Sequence, residues 1–168
     1  EQLGNGYFIP PDGSLNKKHF TDFIKRLRKR CDQKIRYFHC GEYGDHTWRP
    51  HYHACLFNVD FDDVRVFRND EGMVTYESDT LQSLWPYGFS TVSDLTYDSA
   101  AYTAGYIYKK ITGVKANDHY LRCDDYGVAY WLQPEYVTMS LKPGIGRGFY
   151  EKYASDFFPS DETPIPGR

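Results

Sequence analysis

The chain is 168 residues long, 40% hydrophobic and 18% aromatic, with a net charge of −3. That length suits one domain with a single sizeable core, and no apolar run approaches the length of a membrane span, which argues against a membrane protein. Cys31, Cys40, Cys55 and Cys123 are scattered without a C-x-x-C pair and without a signal peptide, so free thiols in a reducing compartment are expected rather than a disulfide scaffold.

In chain order, residues 4–14 are rich in turn formers and read as irregular. Ser14 or Asn16 can cap a helix over 17–31, in which Phe20, Phe23, Ile24, Leu27 and Cys31 form one apolar stripe among seven Lys and Arg. Charge is strongly segregated along the chain. Residues 17–36 hold nine Lys/Arg against Asp22 and Asp32, net +7, whereas 58–98 hold nine acids against Arg65 and Arg68, net −7. A basic pole of this kind can meet a polyanion, and Lys25, Arg28 and Lys29 are its candidate phosphate contacts.

Residues 34–43 read as a strand with Ile35, Tyr37 and His39 on one face and Arg36, Phe38, Cys40 and Glu42 on the other. A loop, 44–50, leads to a second strand that carries His51-Tyr52-His53, whose two imidazoles share a face because side chains alternate along a strand. Consecutive strands joined by a short loop pair antiparallel, which brings Glu42 close to His51 and His53. Two imidazoles and a carboxylate form a facial metal-ligand set with open positions for water and substrate.

Residues 64–67 and 73–76 predict an acidic outlying hairpin, 79–85 a short helix stopped by Pro86, and 88–94 a further strand. Asp98 or Ser99 is expected to cap a helix running to about Thr112, with Gly113 as its stop. On it Tyr102, Tyr106 and Lys109 stand at i, i+4 and i+7, one face, while Ile107 and Ile111 form another stripe and Gly105 allows close backbone approach. Residues 117–125 read as a polar loop, and 128–132 and 136–140 as strands. The glycine-rich segment 142–148 is a turn or a loop that lets backbone approach a DNA strand, with Lys142 and Arg147 as basic contacts. A short helix, 149–154, and a Pro-rich extended tail, 158–168, follow, so the domain is placed at 1–157.

As an ordered set, Gly41-Glu42-Tyr43-Gly44, Arg49-Pro50-His51-Tyr52-His53, Leu84-Trp85-Pro86-Tyr87-Gly88, Tyr102-x-x-x-Tyr106-x-x-Lys109 and Pro143-Gly144-Ile145-Gly146-Arg147-Gly148 resemble the His-hydrophobic-His endonucleases. Within them the chain is most similar to the rolling-circle replication initiators of microviruses, the gokushovirus-like group, over about residues 10–153. The resemblance implies an α+β, ferredoxin-like fold with an antiparallel sheet of about five strands when complete. It implies Mg2+ or Mn2+ on His51, His53 and Glu42, Tyr102 and Tyr106 as nucleophiles, and Lys109 beside the scissile phosphate. Arg49 joins the basic contacts. The implied partners are single-stranded DNA at a phage origin and the host helicase and polymerase, in the cytoplasm of a bacterial host. Such proteins open with an apolar strand that is missing ahead of Glu1, so the chain is expected to be truncated there.

Two other readings use the same residues. In one, the chain binds single-stranded nucleic acid without cutting it, the tyrosines serving only to stack. In the other, His39, Cys40, His51 and Cys55 hold a structural zinc, which would make the fold collapse under a chelator.

Overall fold

Alternation along residues 36–43 sends Tyr37, His39, Gly41 and Tyr43 to one side and Arg36, Phe38, Cys40 and Glu42 to the other, and the molecule is layered on that division. The computed structural model describes residues 13–157 apart from 71, 124–126 and 128. In chain order its elements are α1 (Lys17–Arg30), β1 (Arg36–Tyr43), β2 (Pro50–Phe57), β3 (Arg65–Asp70), β4 (Met73–Glu77), α2 (Asp79–Leu84) and α3 (Tyr97–Gly105). A 3-10 turn (Tyr106–Lys109), α4 (Val114–Tyr120), β5 (Leu121–Cys123), β6 (Ala129–Trp131), β7 (Tyr136–Met139) and α5 (Arg147–Phe157) follow. The class is α+β with antiparallel sheets, as expected. Of the about five strands implied for a complete sheet, three lie together among the described residues, in the order β2-β1-β7. No helix among them is long and apolar enough to cross a membrane.

α1 starts where Asn16, in extended backbone, accepts a hydrogen bond from Lys18 N at 2.9 Å, and it ends with Arg28, Lys29 and Arg30 at the negative end of the helix dipole. Its stripe of Phe20, Phe23, Ile24 and Leu27 packs with Ile35, Leu81 and Leu84 into the main core, which Tyr37 and Leu56 adjoin. A second cluster, Leu15, Tyr43, Tyr120, Leu132 and Tyr136, closes the other end of the same face. There the Tyr43 hydroxyl accepts from Leu15 N at 2.9 Å and donates to Gln133 O at 2.8 Å. α3 lies across the opposite face, where the Cys40 thiol donates to Thr103 O at 3.6 Å.

His39 is fully buried, stacked on Phe20 with centroids 3.5 Å apart, and its Nδ1 lies 3.1 Å from Thr138 Oγ1. Nε2 meets no hydrogen-bond partner among the described residues. Burial first, and then the neighbouring His53, lowers the imidazole's pKa from its usual value near 6.5 to about 3.

Several expectations are corrected. Residues 88–94 contribute one bridge, Val92 to Tyr76, rather than a strand, because that segment has only the end of the outlying β4 to pair with. Thr96, not Asp98 or Ser99, caps α3, in a capping box completed by Ser99. The α-helix stops at Gly105 and tightens to 3-10 through Lys109 instead of reaching Thr112, so Gly113 (φ 73) precedes α4 rather than ending α3. A Cβ at Gly105 would meet nothing within 4 Å, so no backbone approaches there. Ile107 is half exposed, while Ile111 packs on the second cluster. Residues 117–123 are the end of α4 and β5, held by the buried Tyr120, not a loop. The tail 158–168 and the segment ahead of residue 13 lie outside the described residues.

A Cβ on Gly41 would lie 2.8 Å from Tyr136 Cε1 and 3.0 Å from Leu15 Cδ2, so Gly41→Ala is expected to cost about 1–3 kcal/mol in urea unfolding. For His39 the unfolded chain takes up a proton near pH 6.5 that the native state refuses until about pH 3. Stability therefore falls as pH drops through that window, by up to about 1.4 kcal/mol per pH unit, and His39→Leu should flatten this part of the profile.

Candidate active site

Glu42 ends β1 and His51 begins β2, and the antiparallel register sets them directly opposite each other, with Cys40 opposite His53. The turn between the strands is held by Gly44 N to Arg49 O at 3.0 Å and Trp48 N to Gly44 O at 2.9 Å, with Trp48 in left-handed backbone (φ 54). A Cβ on Gly44 would stand 3.0 Å from His51 Cε1, so its glycine leaves room for that ring. His51 Nδ1 and His53 Nε2 lie 3.3 and 3.2 Å from the same oxygen, Glu42 Oε1. The second oxygen, Oε2, accepts from Lys109 Nζ at 2.8 Å, and Lys109 also donates to Asp45 Oδ1 at 3.0 Å.

Glu42 is 2% exposed. Burial pushes its carboxyl toward the neutral acid, but hydrogen bonds from His51, His53 and Lys109 outweigh this and hold it well below the usual carboxylate range. The Lys109 ammonium is raised by the hydrogen bond to Glu42.

One ligand atom from each of Glu42, His51 and His53 lies within 4.8 Å of the others. Atoms that ligate one ion at ~2.0–2.2 Å are separated by about 3–4.4 Å, so this spacing fits a shared cation. The donor set also fits: two imidazoles and a carboxylate suit a divalent metal and leave positions open for water or a phosphate. The imidazole nitrogens that face Glu42 offer lone pairs in one tautomer and N–H donors in the other.

The tyrosine face meets this centre. The Tyr106 ring stacks on His53, centroids 4.2 Å apart and planes 19° from parallel, and its hydroxyl donates to Tyr102 Oη. Lys109 Nζ stands 5.0 Å from the Tyr106 ring centre. Burial, then the hydrogen bond and negative field of Tyr102, raise the Tyr106 phenol above its usual value. Tyr102 is 66% exposed. The arrangement sets two phenols, a lysine and a cation-binding triad around one opening to solvent.

The remaining expected contacts are dispersed. Lys25, Arg28 and Lys29 are exposed on α1, which packs against the face of the sheet opposite His51 and His53. Arg49 is exposed in the turn before His51, and Lys142 and Arg147 lie beyond β7. The zinc set does not assemble, because strand alternation buries His39 on the far face from Cys40. All four cysteines are free. Asp45, the second anchor of Lys109, was not singled out from the sequence. An acid three residues beyond Glu42 was its only signal, and acids are common in turns.

The model of the replication-associated protein ORF2 family matches residues 7–111. The chain is 37% identical over 153 residues to replication-associated protein ORF2 of Spiroplasma virus 4, covering 88% of this chain and 44% of that protein. It is 33% identical over 156 residues to replication-associated protein VP4 of Bdellovibrio phage phiMH2K, covering 88% and 46%. Replication-associated protein ORF4 of Chlamydia phage 1 is 32% identical over 111 residues, covering 59% of this chain and 27% of that protein. The chain thus spans about half the length of the first two relatives. No solved structure matches it significantly.

Calorimetric titration with Mn2+ is expected to show one site per chain, weakened at least tenfold, about 1.4 kcal/mol, by Glu42→Gln or His53→Ala. Because both hydrophobic clusters form without the triad, a chelator should leave the circular dichroism spectrum unchanged.

Proposed function

This chain belongs to the replication-associated protein ORF2 family, and on that premise we propose that it is the strand-nicking and joining domain of a rolling-circle replication initiator of a single-stranded DNA phage. The observation that carries the reading is the convergence of two separately encoded elements. The Tyr106 ring lies on His53, and Lys109 on Glu42, at one end of the β1–β2 hairpin.

A divalent cation, Mg2+ or Mn2+, on Glu42, His51 and His53 would polarise the scissile phosphate and offset its charge. Glu42, ionised by its three donors, supplies the anionic ligand, and the two imidazoles come from one rigid strand. Lys109, fixed between Glu42 and Asp45, keeps a positive charge beside the reacting groups. The Tyr106 phenol is a poor nucleophile while its proton is held by burial and by Tyr102. Attack requires that proton to leave, and the Tyr102 oxygen is the acceptor already in contact with it. The Tyr–O–P bond forms as the P–O3′ bond breaks, and the leaving 3′ oxygen takes up a proton. The products are a 5′-phosphotyrosine and a free 3′-OH that a host polymerase can extend as a helicase opens the duplex. A second transesterification at the other tyrosine would cut and rejoin the displaced strand. The substrate is then the single-stranded origin, and the place of action the cytoplasm of the bacterial host.

Incubating the protein and Mn2+ with a labelled origin oligonucleotide should give a covalent adduct that survives denaturation. Tyr102→Phe with Tyr106→Phe should abolish it, and Lys109→Ala should slow it by about a hundredfold. Retarded migration without any adduct would instead favour a single-strand binding module.

A further inference from the structure

The face that carries the metal triad continues past it. β1 places Arg36, Phe38, Cys40 and Glu42 on that face, and the register pairs Glu42 with His51 at one end and Arg36 with Phe57 at the other. Six residues of strand separate the two ends, about 20 Å. Around Arg36 and Phe57 lies a groove of about 320 Å³, also lined by Lys34, Arg147 and the glycine-rich segment 143–148.

Three cations line this groove, Lys34, Arg36 and Arg147, and no Asp or Glu does. The Arg36 guanidinium is steadied by a hydrogen bond from Nη2 to Ser140 O at 3.4 Å. Arg147 is paired with Glu151, outside the lining, through Nε at 2.6 Å, which occupies one of its three nitrogens. Phe57 adds a partly buried aromatic ring.

The glycines carry the argument further. Gly146 has a local reason for its type, φ +78. Gly144 and Gly148 do not: neither has left-handed backbone, and a Cβ on either would meet no described atom within 4 Å. Nothing in the described chain requires glycine at these two positions. What the missing side chains do provide is bare backbone on the wall of a cation-lined groove, where a ligand can approach closely.

We propose that this groove is a second phosphate-binding site that grips the backbone of the same DNA strand that reaches the metal centre. Cations with an adjacent aromatic ring are the combination that holds single strands without reading their sequence. At the ~3.4 Å per nucleotide of a stacked strand, 20 Å corresponds to about six nucleotides, fewer if the strand is extended. The inference rests on the proposed nicking function for its substrate, but its test does not require cleavage.

Fluorescence anisotropy of labelled dT16, with a chelator present, measures binding alone. Lys34→Ala with Arg147→Ala should weaken binding at least tenfold and reduce the slope of log affinity against log salt by about 1.4, two contacts at ~0.7 each. Lys115→Ala with Lys110→Ala, the same loss of charge elsewhere on the surface, should leave more than half of the affinity. Gly144→Val with Gly148→Val changes no charge and should also weaken binding, because it fills the wall. Wild-type affinity and slope in both groove variants, with their circular dichroism unchanged, would overturn the proposal. If the wild-type protein forms no adduct but the groove variants lose dT16, the nicking reading falls and the groove stands.

Discussion

The antiparallel register of β1 against β2 is the constraint on which the site depends. Because Glu42 is opposite His51, and Cys40 opposite His53, one carboxylate oxygen faces both imidazoles. A slip of one residue would turn His51 and His53 toward α1 and send Tyr52 and Ala54 outward. The register is defended from the other face, where Tyr37, His39, Gly41 and Tyr43 are fitted against Phe20, Tyr136 and Leu15. Core packing and ligand geometry are thus two consequences of one strand pairing.

Glu42 joins the two halves of the site. A carboxylate buried this deeply would be costly if left alone, and removing a partner from such a pair is more damaging than the pair is stabilising. Here the donors come from two parts of the chain: the imidazoles of β2 on Oε1, and Lys109 of the 3-10 turn on Oε2. The tightening from α-helix to 3-10 after Gly105 directs the Tyr106–Lys109 segment toward the sheet. The same contacts that keep the acid ionised therefore set Tyr106 against His53.

The distribution of charge takes on a different meaning in three dimensions. The most basic stretch of the sequence, 17–36, is divided between faces. α1 holds its cations behind the sheet, while Lys34 and Arg36 emerge at the far end of the face that carries the triad. The acidic 58–98 stretch includes the separate β3–β4 hairpin, and Asp63 there accepts hydrogen bonds from Ser78 Oγ and Thr80 N that start α2.

By itself the sequence determined the local periodicities: the stripe of α1, the alternation of β1 and β2, the shared face of His51 and His53, and the helical spacing of Tyr102, Tyr106 and Lys109. These are legible because they follow from backbone repeat alone. The proximity of Glu42 to the histidines was also legible, since a short turn leaves two strands little choice but to pair. The tertiary structure decided what local repeat cannot encode. It reduced residues 88–94 to one bridge, since a strand needs a neighbour along its length, and it made α4 out of a polar segment anchored by Tyr120. It also ended α3 at Gly105, gave Lys109 its second anchor in Asp45, and separated the basic helix from the basic groove. In each case the outcome depends on contacts between residues far apart in the chain, which spacing along one segment does not contain.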